Sequence, residues 1–460
     1  MDQKIKGAWL VHHMEKLRQV TNVGEFENVH AAGKMGVLLS GLSSSSESEL
    51  TTQQVDGIAR AANITKLEQP TLLRQLAERK LIDHRESGIA VLGITSASVL
   101  SHTANMFDEL RPLPAEQAVL ELAEAVSHSP MEMREATQYV SDKFKLSTES
   151  AGVLLEQTEQ IGFLDAEDLD SSRKLFFNGN LFRRGTAKKI QAVLSSLTDA
   201  DHRMVQQMEA QLIQSGCVTK EEAQHTLGES LFCKLQSIGL YDVNEVSNEN
   251  EKVCFVTRPA AFGKYGGGDA FTDDAMNLAK AFVTCLKYGM TRRSSAQGRI
   301  MALQSLMRKL IAGEWVGPAT AIGQDYQVLE FQRVVEIKRD ERGRFSMRLL
   351  KKEVGALALQ VLTEGDASEQ SLEPLFGASV SRYRDPESNR ALRRKTQNAS
   401  QPEGDRCRVG VHSEAIGASV GQLLRLNFDF FLKFIYINNN NMLVDIVGIM
   451  RRNRKGRFRA

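Results

Sequence analysis

Asp325, followed by Glu336-Ile337-Lys338, supplies the residue types of a D…E-x-K nuclease centre. In such a centre the carboxylates hold a divalent metal, and a lysine steadies the attacking water or the scissile phosphate. The spacing argues against it. Tyr326 to Lys338 reads as one continuous stretch without turn residues, so nothing brings Asp325 beside Glu336. As a strand, the segment turns Val335 and Ile337 inward and Glu336 and Lys338 outward, which needs no catalysis. Other reactive constellations are thinner still. Gly263 to Gly268 has glycines and a lysine but not the order that cradles phosphate at a helix start. His12-His13-Met14-Glu15 is not H-E-x-x-H, and the nine histidines are dispersed. Five scattered cysteines, Cys217, Cys233, Cys254, Cys285 and Cys407, form no C-x-x-C pair, which points away from zinc and disulfides and toward a reducing compartment. The expectation is a protein without catalytic residues, metal or cofactor.

Polyanion binding is the better-supplied chemistry. The net charge of +1 conceals a split. Residues 1–270 hold 27 Lys and Arg against 37 Asp and Glu, while 271–460 hold 58 − 27 = 31 and 57 − 37 = 20. An acidic body with a basic end is expected to present that end to a polyanion. The candidate phosphate contacts form three groups: Arg74, Arg79, Lys80 and Arg85; Arg292, Arg293 and Arg299; and Lys338, Arg339, Arg342, Arg344 and Arg348. Release of counterions by such clusters is a large share of nucleic-acid affinity. A solvated basic hairpin without a ligand is the plain alternative. Glu149, Glu156 and Glu159 mark the opposite character. Carboxylates there repel phosphate and suit a protein partner that offers Lys or Arg.

The elements that must position these residues recur along the chain. Lys80-Leu81-Ile82-Asp83, Gly162-Phe163-Leu164-Asp165 and Gly239-Leu240-Tyr241-Asp242 each end a helical run and precede an alternating apolar stretch. Their aspartates lie 165 − 83 = 82 and 242 − 165 = 77 residues apart, and a fixed-period resemblance sets the architecture. Each copy reads as helix, turn, helix and two-stranded hairpin. In the first copy the predicted helices run over Val29–Leu42, then from a cap at Thr51 or Thr52 with Val55, Ile58, Ala59 and Ala62 on one face, then over Glu68–Lys80, with Asn63 at a turn that favours positive φ. They run over Ala115–Ser127, Met131–Phe144 and Thr148–Ile161 in the second, then Met204–Ile213, Lys220–Thr226 and Leu231–Ile238 in the third. Met1 to Lys16 offers only a brief apolar stretch, and Gly263 to Gly268 reads as a hinge or boundary. Beyond it, helices are expected at Asp273–Leu286, Ser295–Ala312 and Glu353–Leu362, with a hairpin at Val334–Leu350 but no signature tetrapeptide.

The expected fold class is therefore α+β and helix-rich. The modules are placed at 20–110, 114–183 and 199–262. A basic helix-hairpin region at 270–363 is a candidate fourth, and 364–460 is a basic, low-order tail with an apolar island at Leu423–Ile437. Thr51 to Thr95 resembles the winged helix-turn-helix superfamily most visibly, with helix, turn, recognition helix and wing in sequence. That resemblance covers roughly residues 25 to 262, with 270 to 362 as a weaker extension. It implies DNA as a partner, contacted by the second helix of the pair and by the wing. It also admits acidic tandem copies that serve as protein adaptors, and modules two and three suit that role. The expected function is a non-catalytic, DNA-associated protein: a regulator, a replication-linked protein or a subunit of a DNA-acting complex. The alternatives are an interaction scaffold and, third, the nuclease. No run of about 18 uncharged apolar residues suggests a membrane span, so a cytoplasmic and, in a bacterium, nucleoid-associated location is expected.

Overall fold

Helix α1 (Gln3–Leu17) starts where the Asp2 side chain accepts from the Lys4 N–H. It buries Trp9, Leu10, Val11, His13, Met14 and Leu17, as a helix enclosed on every side must. The computed structural model describes residues 1–18, 24–45, 49–84, 88–170, 173–182, 185, 187–248, 251–266 and 270–372. Arg85 and the tail beyond Leu372, with its apolar island, lie outside the described residues. Far from being a brief apolar preface, α1 is the centre of the first core. Helices α2 (Glu27–Ser43), α5 (Ser96–Glu109) and α6 (Pro114–His128) pack on it. Gly7 lets α1 meet α5, because a Cβ there would lie 2.0 Å from the Leu100 carbonyl oxygen. Only a residue without Cβ permits that approach.

Four repeats of one pattern follow. In the first, α2 leads to an isolated bridge between Leu50 and Ile89, then α3 (Thr52–Ala61), α4 (Gln69–Glu78) and the hairpin β1 (Ile82–His84) and β2 (Ile89–Val91). Thr51 and Gln54 form a capping box that fixes the start of α3, satisfying donors the first turn would otherwise leave unpaired. In the second, α6 leads to β3 (Met131–Glu132), α7 (Met133–Phe144), α8 (Thr148–Ile161) and the hairpin β4 (Asp165–Asp168) and β5 (Lys174–Phe177). After α9 (Ala187–Leu194), the third has α10 (Asp199–Ser215), β6 (Val218–Thr219), α11 (Lys220–Leu227), α12 (Glu229–Ser237) and the hairpin β7 (Asp242–Ser247) and β8 (Lys252–Thr257). Helices α13 (Ala260–Gly263) and α14 (Ala270–Thr291) lead to the fourth. It has α15 (Leu303–Ala312), β9 (Val316–Ala319), α16 (Ile322–Asp325), α17 (Gln327–Phe331), the hairpin β10 (Val335–Arg339) and β11 (Phe345–Leu349), and a closing helix α18 (Lys352–Glu364). The strand before each helix pair joins the second hairpin strand, so the orders are β3-β5-β4, β6-β8-β7 and β9-β11-β10. All are antiparallel. The Leu50–Ile89 bridge repeats this pairing in the first module. The chain is thus α+β, helix-rich, with small antiparallel sheets.

The turn into each hairpin has one geometry. Lys80, Gly162, Gly239 and Arg333 have φ of 58°, 83°, 79° and 53°. The next residue's N–H reaches back five positions, from Leu81 to Leu76, Phe163 to Thr158, Leu240 to Leu235 and Val334 to Leu329, at 2.8–3.1 Å. This left-handed helix end satisfies carbonyls that the last turn leaves open. Arg333-Val334-Val335-Glu336 is therefore the fourth signature, with arginine in glycine's place and glutamate in aspartate's. It was missed because its residue types differ while its backbone does not.

Three further expectations need correction. Tyr326 to Lys338 is not one extended stretch, since α17 and the Arg333 turn divide it before β10. The glycine-rich segment is no hinge where it is described. Lys264 is 1% exposed and Tyr265 4%, and the Asn178 side chain donates to the Lys264 carbonyl oxygen at 2.9 Å. Asn178-Gly179 forms a turn, with the Leu181 N–H donating to the Asn178 carbonyl oxygen at 3.0 Å, and the Asn178 side chain also ties the second module to that segment. Nor does the low-order tail start at residue 364. A 3-10 turn at Ser368–Ser371 follows α18, and Leu372 is buried in the α1 core.

Candidate nucleic-acid interface

Each module offers the surface of its third helix and its hairpin. On α4, Arg74 is exposed and only 3.9 Å from Glu78, a loose pair. Lys80 is exposed at the left-handed turn. Arg79 is committed elsewhere: it pairs with Glu109 of α5 at 2.6 Å and donates to the Gln75 carbonyl oxygen at 2.9 Å. Its expected role as a phosphate contact gives way to tethering α4 against α5.

The acidic second module keeps Glu149 and Glu156 exposed on α8, with Val153, 50% exposed, on the same face. Glu159 does not stand free with them. It pairs with Lys174 of the hairpin at 2.8 Å, so its charge is already answered within the module. In the third module the exposed Glu221, Glu222 and Glu229 dominate.

In the fourth module Arg293 departs furthest from expectation. It is 5% exposed, donates through Nε to Asp325 Oδ2 at 2.9 Å and through its terminal nitrogen to Oδ1, and lies 5.2 Å from the Tyr288 ring. A guanidinium so desolvated requires its carboxylate and has no face for phosphate. Arg292 is exposed just before it, and Arg299, also exposed, donates to the Met290 carbonyl oxygen at 2.8 Å. Asp325 is thereby explained as an ion-pair partner. Glu336 pairs with Arg348 at 2.6 Å, and Arg348 lies 5.2 Å from the Trp315 ring. Each carboxylate of the nuclease reading is held by its own arginine. Among the described residues, no group of three or more His, Cys, Asp or Glu side chains is placed to hold a metal ion.

What remains of the basic hairpin is compact. Arg344 pairs with Asp340 at 3.1 Å, and hydrogen bonds from the Arg344 and Arg342 backbone hold the Asp340 carboxyl below its usual range. Lys338, Arg339 and Arg342 are exposed and make no ion pair among the described residues. Beside them α17 exposes Gln327, Val328 and Phe331 on one face, Val328 at 67% and Phe331 at 83%. The sequence does not mark these residues, because the five residues of α17 are too few to show a helical period. No family model matches the chain, and no curated protein matches it at a significant level. No helix among the described residues is long and apolar enough to cross a membrane.

Proposed function

We propose that this chain is a non-catalytic nucleic-acid-associated protein of four tandem winged-helix modules, with the fourth as its phosphate-binding end. The recurring strand order and helix-to-hairpin turn support the modular reading, since the segment between helices one and two pairs with the second hairpin strand, the central one of each three-stranded sheet, in every copy. The observation that carries the functional reading is the trio Lys338, Arg339 and Arg342, exposed beside α17 and without carboxylate partners among the described residues. Cations already paired add little to phosphate binding, because a contact made to DNA must first break the internal one. Arg344 and Arg348 are therefore secondary, and Arg293 and Arg79 take no part. Arg74 and Lys80 offer a weaker second contact.

The test is a salt series of duplex-DNA isotherms with the full chain and its Lys338→Glu, Arg339→Glu, Arg342→Glu variant. Loss of three phosphate contacts should flatten the slope of log K against log salt by about 2 to 3, at all sequences alike. An unchanged slope would move the assignment to a protein-interaction scaffold. That second reading is favoured by the acidic face of α8, Glu149 and Glu156 around an exposed Val153.

A further inference from the structure

Helix α17 is the last helix before the fourth hairpin, the position that α4, α8 and α12 hold in the other modules. It has five residues, about 7.5 Å at the helical rise, too little to run along a major groove. Leu329 is its buried side. Val328 and Phe331, three positions apart and so neighbours on the helix surface, both face outward. Two of its polar side chains are engaged. Gln327 Nε2 donates to the Gly323 carbonyl oxygen at 2.8 Å, and Glu330 Oε1 accepts from the Ile337 N–H at 3.3 Å. The second bond fastens the end of α17 to β10, an edge strand. Gln332 is exposed. Arg333, between α17 and β10, is exposed like Lys338, Arg339 and Arg342, and none of the four makes an ion pair among the described residues. They outnumber the exposed carboxylates of this stretch, Glu330 and Glu341.

We propose that the fourth module takes single-stranded nucleic acid, with Phe331 stacked on an unpaired base and Arg333, Lys338, Arg339 and Arg342 on the flanking phosphates. This rests on the nucleic-acid reading of that module and narrows its substrate. Base edges inside a duplex are read by hydrogen-bonding side chains, whereas α17 turns an aliphatic and an aromatic one outward. A phenyl ring matches the flat face of any base. In a duplex that face is covered by the neighbouring pairs, and uncovering it costs unstacking energy; in a single strand it is on offer. Aromatic rings beside a cationic strip are the usual make of such a surface. Charge also decides between occupants. An exposed apolar pair rimmed by cations suits an anionic partner. Residues 390–460 of the chain itself hold 14 Lys and Arg against 5 Asp and Glu, so like charge opposes their docking here.

The experiment measures fluorescence anisotropy of the full chain with three labelled probes of about 16 nucleotides, enough to fill one single-strand groove. The probes are oligo(dT), an abasic strand with the same phosphates, and a duplex. Oligo(dT) should bind at least about fivefold more tightly than the abasic strand, the worth of one stacked base. Phe331→Ala should remove that margin and leave the abasic strand and the duplex unchanged, while Phe331→Trp keeps it. The ring stands in water, so neither variant should shift the urea midpoint, and the abasic comparison needs no variant at all. Salt-dependent binding of all three probes without a margin for oligo(dT) overturns the proposal and leaves the nucleic-acid reading standing. Failure of every probe to bind overturns both. A loss on the duplex equal to that on oligo(dT) in Phe331→Ala would make the ring a wedge between stacked pairs, and overturns the single-strand assignment. So does a dimer of the unaltered chain, seen by sedimentation velocity, that Phe331→Ala dissolves, since this face would then belong to a second copy.

Discussion

His13 sits fully buried on α1, its ring stacked on Phe163 with centroids 4.2 Å apart and its Nε2 without a hydrogen-bond partner. Burial pulls its pKa from 6.5 to about 3, with Lys16 assisting and a backbone hydrogen bond to Val119 opposing. A depressed histidine binds its proton more readily when unfolded. Its contribution is thus complete above pH 6.5 and is lost as pH falls toward 3, by up to about 1.4 kcal/mol per unit. His13→Phe keeps the stack and removes the proton site. Urea midpoints at pH 7.5 and 5 should then differ less than in the parent, and an equal difference would place the titration elsewhere. At this scale the sequence exposed residue types but not their partners. Arg293, Arg79 and Glu159 were correctly seen as charged, yet Asp325, Glu109 and Lys174 answer them in space.

Helix-to-hairpin turns are where sequence and structure agree most closely, and where a quantitative test is simplest. Two of the four left-handed positions hold glycine and two hold Lys80 and Arg333. A side chain there costs about 1–2 kcal/mol, and glycine gives back about 0.5–1 of that relief in unfolded-state freedom. Lys80→Gly and Arg333→Gly should each stabilise by roughly 0.5–1 kcal/mol. Gly162→Ala and Gly239→Ala should each destabilise by about 1 kcal/mol or more. Chemical denaturation measures all four, and stabilisation by alanine at either glycine would contradict the shared turn. Long helices such as α8, predicted over Thr148–Ile161 and observed there, were legible because their apolar positions repeat. α17 was not, because five residues are too few to show a period and its apolar Val328 and Phe331 face outward. The two-residue strands β3 and β6 were equally silent, being fixed by pairing with strands far along the chain.

Across the molecule, the modules are joined by buried charge as well as by apolar contact. Lys264 lies 2.9 Å from Glu124 of α6 and 2.5 Å from Asp366 beyond α18. Trp9 of α1 donates to the same Glu124 at 2.7 Å. Arg258 reaches Glu209 at 3.2 Å and the Gly365 carbonyl oxygen at 3.0 Å. Burial alone would raise the Glu124 pKa, but Lys264, then His128, outweighs it and holds the carboxyl well below its usual range. Lys264→Met would strand two buried carboxylates, and breaking such a pair costs about 3–5 kcal/mol. The expected result is a loss of that size in denaturation, with faster amide exchange in both α6 and α10. Loss confined to the α14 end would mean the cluster does not couple the modules. None of this was visible as sequence, because the glycines around Lys264 read as a linker while their neighbours were hidden. Module existence was legible from repetition; module contact was not.

The contact between α1 and the turn at Ser368–Ser371 sets a clock. Lys4 pairs with Glu364 at 2.7 Å, and Leu372 joins the core that encloses Trp9. The end of α1 and the start of that turn are 368 − 17 = 351 residues apart. At a synthesis rate of about 5–20 residues per second, α1 is made roughly 18–70 s before its last covering residues. Throughout that interval an apolar helix waits with part of its surface uncovered, which is when a holding chaperone would be needed.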